Sequence, residues 1–183
     1  LLFDTETKRL KQISQLCSEK NRANNGLDFS LKELVENPYL MSENYIGKDV
    51  DDQISLSKID HGMLPSPDLG IEPLTTKGSA IRFRAFCVDQ LKRIAPHTFS
   101  AAEIILHKLN QNIIHLNEWR QFEFKMKNFT SYKEKLDDAI FQRKDKSENI
   151  HLYLKNIFEY ERLIEEKCRL LANREISQFK SPV

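Results

Sequence analysis

Residues 79–109 constrain the fold more than any other stretch. Ser79-Ala-Ile-Arg-Phe-Arg-Ala-Phe-Cys-Val-Asp-Gln-Leu-Lys-Arg-Ile94 has the length and periodicity of a helix. Pro96-His97-Thr98-Phe99 breaks it. Ser100-Ala-Ala-Glu103 then reads as a capping box, in which Ser100 and Glu103 satisfy the first free N–H groups of a second helix. On a wheel at ~100° per residue, Ile81, Phe83, Cys87, Val88, Leu91 and Ile94 share one broad core face. Arg84 falls in the middle of that face, so its guanidinium must be paired or reach past the core. Asp60, Asp68 and Glu72 in the preceding loop are its candidate partners. The opposite face carries Arg82, Phe86, Asp89, Gln90 and Arg93, with Lys92 beside them. After Ser100, the residues Ala102, Ile105, Leu106, Leu109 and Ile113 form a second buried stripe.

The flanking chain is patterned mainly for helix. Leu10, Ile13, Leu16 and Cys17 give an amphipathic helix over 4–24, with Asn24-Asn25-Gly26 as its stop. Ser30-Leu-Lys-Glu33 is another capping box, and its helix must end at Asn37-Pro38, where proline lacks an N–H and restricts the residue before it. Residues 39–79 are irregular. Asp49, Asp51 and Asp52 form an acidic turn, 54–59 suits either a short helix or a strand, and Pro65 to Pro73 makes an extended loop. Trp119, Phe122, Phe124 and Met126 alternate as a strand would, with helix slightly preferred. Leu136, Ala139, Ile140 and Phe141 mark a helix, Arg143–Ser147 a turn, and 147–176 a long final helix with Tyr153, Ile157, Tyr160, Ile164 and Leu171 on one stripe. The expected fold is mainly α: a small helical bundle of helix-turn-helix and hairpin units, with room for a short β wing, and a C-terminal helical hairpin. The division expected is 1–36 as N-terminal helices, 37–128 as a helix-hairpin-helix or winged-helix-like module, and 129–183 as the charged helical hairpin.

Charge excludes a global pull toward polyanions, since 28 Lys and Arg stand against 27 Asp and Glu. Cys17, Cys87 and Cys168 are odd in number and far apart, which points to a reducing, cytoplasmic setting. No apolar run approaches the ~20 residues of a membrane span, so no membrane partner is expected. The chain begins at Leu rather than Met and reads as a segment of something longer.

Catalytic patterns are missing. Gly47-Lys48 lacks the upstream glycine of a phosphate-binding loop. His61, His97, His107 and His115 are not spaced as metal ligands, and there is no CxxC. Cys87 with His97 could be drawn as a nucleophile and base, but a thiol on an apolar face acts as a small hydrophobe. The best polar constellation is the basic helix face, where Arg82, Lys92 and Arg93, joined by Lys77 and His97, could meet phosphate and Phe86 could stack on a base. The plainer reading has Phe86 packed under a neighbouring helix and the arginines solvated or paired with Asp89.

Taken in order, these motifs resemble the N-terminal region of RecD-like ATP-dependent DNA helicases, relatives of the exodeoxyribonuclease V alpha subunit. Asn37-Pro38-Tyr39-Leu40 is similar to the family's segment leading into a helix-hairpin-helix. Ile81–Leu91 resembles the Arg-rich helix that follows, and His97-Thr98-Phe99 with Glu103 resembles the turn that opens a winged-helix-like unit. Residues 153–171, with Tyr160-Glu161 and Ile164, look like the helix before the helicase P-loop. Two departures stand out: Ile54-Ser-Leu-Ser-Lys-Ile59-Asp60 replaces the family's hairpin glycines, and Pro65–Pro73 reads as an insertion. The resemblance implies an accessory DNA-binding or regulatory domain without catalysis of its own. It implies single-stranded or forked DNA as partner, contacted by Arg82, Phe86, Lys92, Arg93 and His97. Asn37, Pro38, Tyr39, Arg84, Ser100 and Glu103 would be structural. No cofactor or metal is expected within these residues, ATP and Mg²⁺ belonging to a core beyond Val183. The alternative is a structural module docking on that core or on another protein.

Overall fold

The computed structural model describes residues 31–43, 55–94 and 97–172. The expected helix over 4–24, its stop, the Ser30 arm of the first capping box, the acidic turn at 49–52, Pro96 and the end of the last helix at 173–176 lie outside the described residues. In chain order the elements are α1 (Leu31–Glu36), α2 (Leu40–Glu43), α3 (Leu56–Met63), α4 (Ala80–Lys92), β1 (Phe99–Ala101), α5 (Ala102–Ile114), α6 (Lys127–Ser131), α7 (Lys133–Leu136), β2 (Ile140–Lys144), β3 (Ile150–Leu154) and α8 (Lys155–Ala172). Short 3₁₀ turns at Pro67–Leu69 and Glu118–Arg120 interrupt the loops. The protein is thus mainly helical, with one small antiparallel sheet.

The central helix is α4. Ser79 caps it, its hydroxyl accepting from the Arg82 N–H at 3.4 Å. The expected core face is buried at Phe83, Cys87, Val88 and Leu91. The other face is buried as well, at Arg82, Ala85, Phe86 and Gln90, because α2, α3, α5, α7 and β3 all pack on this one helix. Phe83 sits at the centre, its ring 4.7 Å from Phe124, 5.0 Å from Phe129 and 5.9 Å from Tyr132.

Local signals hold at several boundaries. Helix α1 stops at Glu36, before Asn37-Pro38. In the stretch left open between helix and strand, Leu56 onward is helix: α3 is capped by Ser55, whose hydroxyl accepts from the Lys58 N–H. In the Pro65–Pro73 loop, Gly70 closes the 3₁₀ turn at φ 60°, a left-handed position that suits glycine.

Three expectations are corrected. The Ser100–Glu103 capping box does not form: Ser100 is extended in β1 opposite Leu152, and the cap of α5 is Ala101, which gives no side-chain hydrogen bond. Residues 140–141 are strand rather than helix, and the long last helix begins only at Lys155, so the C-terminal helical hairpin is a β-hairpin followed by one helix. The sheet runs β1-β3-β2, with Phe99, Tyr153 and Phe141 in one row and Ala101, His151 and Arg143 in the next row on the same face. A three-four spacing through Tyr153 fitted the sequence equally well; pairing with β1, fifty residues away in the chain, decides for strand. The aromatic stretch after Trp119 is neither helix nor strand. It is extended and clamped, with Asn110 donating to the Phe124 carbonyl at 2.9 Å and accepting from its N–H at 3.0 Å.

Candidate functional site

Arg82, expected on a basic surface, lies instead in an interior ion cluster. Arg82 is 0% exposed. Its Nε donates to Asp60 Oδ1 at 2.7 Å and its Nη2 to Oδ2 at 3.0 Å, and further donors reach the carbonyls of Lys77 and Arg120. Arg120, from the 118–120 turn, donates to Asp60 Oδ2 from Nε at 3.1 Å and Nη2 at 2.8 Å. Tyr39 completes the set, its hydroxyl donating to Asp60 Oδ1 at 2.7 Å. Burial alone would raise the Asp60 pKa, but hydrogen bonds and charge from Arg82, then Arg120 and Tyr39, hold it below its usual value. Burial, with Asp60 beside it, pushes the Tyr39 hydroxyl far up, so it serves as a neutral donor. The cluster ties α3, α4 and the 118–120 turn together.

A second pair lies on the other side of α4. Of the two outcomes expected for Arg84, pairing holds, and its partner is Glu43 of α2, at 2.9 Å from Nε and 2.7 Å from Nη2. Its Nη1 reaches Asp138 and the Lys135 carbonyl at 3.2 Å. Neither Asp60, which Arg82 and Arg120 occupy, nor the expected loop acids take this role. Burial raises the Glu43 pKa against the pull of Arg84.

The expected DNA-contact set is therefore divided. Arg82 and Phe86 are interior, and the Arg82 guanidinium lies 5.1 Å over the Phe86 ring, a cation–π contact that occupies the face expected to stack on a base. Lys92 keeps an exposed side chain, but its ammonium donates to the Ser42 carbonyl at 2.7 Å. Arg93 is exposed and paired with Asp89 one turn back, at 2.9 Å. His97 is exposed. Of the structural set, Pro38, Tyr39 and Arg84 are buried, Asn37 follows α1, Glu103 is exposed and Ser100 is in β1. Cys87 lies in the core, where burial pushes its thiol pKa well up, so it cannot pair with the exposed His97 as a nucleophile.

Two surface features were not legible beforehand. The first is the outer face of the sheet, where Phe99 and Arg143 are exposed, Phe141 and His151 are half-buried and Tyr153 is buried. The second is α8, which has no buried residue across its 18 residues. Phe158 turns one side of α8 to the sheet, stacking on Phe141 at 3.8 Å. The stripe of Tyr160, Leu163, Ile164 and Leu171 turns away, at 62%, 50%, 62% and 62% exposure. Arg120 and Glu43 were missed too, although a buried arginine demands an acid and the Trp119 cluster pointed to an interior position for its neighbour.

Among the described residues, no three His, Cys, Asp or Glu side chains gather as a metal site, and no helix is long and apolar enough to cross a membrane. Comparisons with protein-family models, curated proteins and solved structures found no match, so the family resemblance rests on the motifs themselves.

Proposed function

We propose that this chain is an accessory, non-catalytic module of a RecD-like DNA helicase, attached to the ATP-hydrolysing core through α8. One observation carries the reading. A capped, well-packed body ends in an 18-residue helix whose apolar stripe finds no cover among the described residues. Contiguous exposed apolar side chains at helical spacing are the signature of helix docking. The DNA-contact reading of α4 is weaker, since its two central residues are interior.

The test pairs this chain with the separately produced ATPase segment of its reading frame, followed by sedimentation velocity. A one-to-one complex is expected, and Ile164→Glu with Leu171→Glu should weaken it at least ~10-fold, the cost of placing charge in an apolar interface. Absence of a complex, or one that ignores the stripe, would sink the reading.

A further inference from the structure

We propose that α8 pairs antiparallel with α8 of a second copy of this chain, about a two-fold axis at Ile164. The inference uses the same stripe as the docking reading, but it stands on the order of residues within α8 and needs no ATPase core.

Lys167 is the observation that calls for a partner. It lies inside the apolar stripe, where Leu163, Ile164, Leu170 and Leu171 occupy the three- and four-residue spacings at which a helix could offer it a counter-charge. Glu161 is placed alike, with Ile157, Phe158, Ile164 and Glu165 at those spacings. Both side chains are exposed, and neither forms an ion pair among the described residues. By contrast, Glu165 pairs with Arg169, and Arg162 shares a surface groove with Glu159 and Glu166.

A two-fold axis at Ile164 gives each of the two what its own helix lacks. Under that symmetry, positions equally far from the axis meet. Glu161 and Lys167 lie three residues before and after Ile164, so the lysine of each copy comes opposite the glutamate of the other. Ile157 and Leu171 lie seven residues before and after it and meet in the same way. Ile164 meets itself. A parallel pair would instead set Lys167 against Lys167. Because α8 carries as many bases as acids, two copies meet without net repulsion. There is room for the second helix: Lys167 is nine residues from Phe158, which stacks on the sheet, and that is about 180° around the helix at ~100° per residue. Tyr160, Leu163, Ile164, Leu170 and Leu171 are each at least half exposed, and they make a seam at the small end of interface sizes. The pairing is therefore reversible, and an ATPase core docking on α8 would compete with it.

Sedimentation velocity of the chain alone, from micromolar to millimolar concentration, tests the proposal. A reversible monomer–dimer equilibrium is expected. Lys167→Glu and Glu161→Lys should each weaken the dimer at least ~10-fold, since each sets like charges against one another across the axis. The double variant, or an equimolar mixture of the two single variants, should restore it. Circular dichroism of each variant, unchanged from wild type, separates lost pairing from lost fold. A monomer at every concentration, which would leave the stripe to the core or another occupant, overturns the proposal. So do single variants that dimerise like wild type, or a mixture that stays monomeric. No ATPase segment is present in this assay, so a chain that dimerises but binds no core would sink the docking reading and leave this one standing.

Discussion

Asp60 accepts five hydrogen bonds from Tyr39, Arg82 and Arg120 in a site from which water is excluded. Two guanidinium groups share this one carboxylate, so its removal leaves two buried cations without a counter-charge. Asp60→Ala is expected to cost ~3–5 kcal/mol, the range for breaking one side of a buried pair, as measured by urea denaturation. The pH dependence has a definite sign. The folded-state pKa of Asp60 lies below its unfolded value, so its contribution is complete above about pH 4 and fades as pH falls through the lowered value. Glu43 is shifted the other way, and its contribution is complete below its unfolded value and fades as pH rises through the raised one. Glu43→Gln should therefore make stability fall more steeply on acidification than wild type. Denaturation midpoints from neutral pH to pH 3 would measure the difference.

At the scale of elements, two serines that look alike in sequence part company. Ser79 caps α4 and also accepts from the Thr75 hydroxyl at 2.8 Å. Ser79→Ala should cost about 1 kcal/mol, the usual worth of a helix cap. Ser100 makes no capping bond, and Ser100→Ala should stay within ~0.5 kcal/mol. Thermal or chemical unfolding of the pair decides whether the strand or the capping box describes residues 99–103. The helical signals were legible because they are local: a serine three residues from the N–H it caps, a proline that cannot continue a turn. The strands were not, because three residues of β1 and five of β3 carry no pattern that excludes helix until they meet. Helix α8 was legible as a helix from Ile157 onward, yet its lack of cover among the described residues could not be read from its periodicity, which is that of a packed helix.

For the whole molecule, Phe83 links the helical layers to the clamped 121–125 passage and to α6 through its contacts with Phe124 and Phe129. Phe83→Ala is expected to cost ~3–5 kcal/mol and to lower the unfolding midpoint, since the rings around it cannot close the cavity without moving several elements. Calorimetry would measure it. A loss under 1 kcal/mol would mean that the aromatic cluster is looser than its centroid distances imply.

The sequence by itself determined the helix that starts at Ser79, the Asn37-Pro38 boundary and the core face of α4. Each follows from interactions within a turn or two of helix, where the backbone geometry is known in advance. Only the tertiary structure decided that the second face of α4 is also covered, that Arg82 meets Asp60 while Arg84 meets Glu43, and that residues 99–101 pair with 151–153. Those outcomes depend on contacts between residues twenty to sixty positions apart. A wheel separates apolar from polar positions on one helix, but it says nothing of what packs against the polar side. A charged residue there turns inward whenever a neighbouring element supplies the opposite charge and enough hydrogen bonds to offset the loss of water.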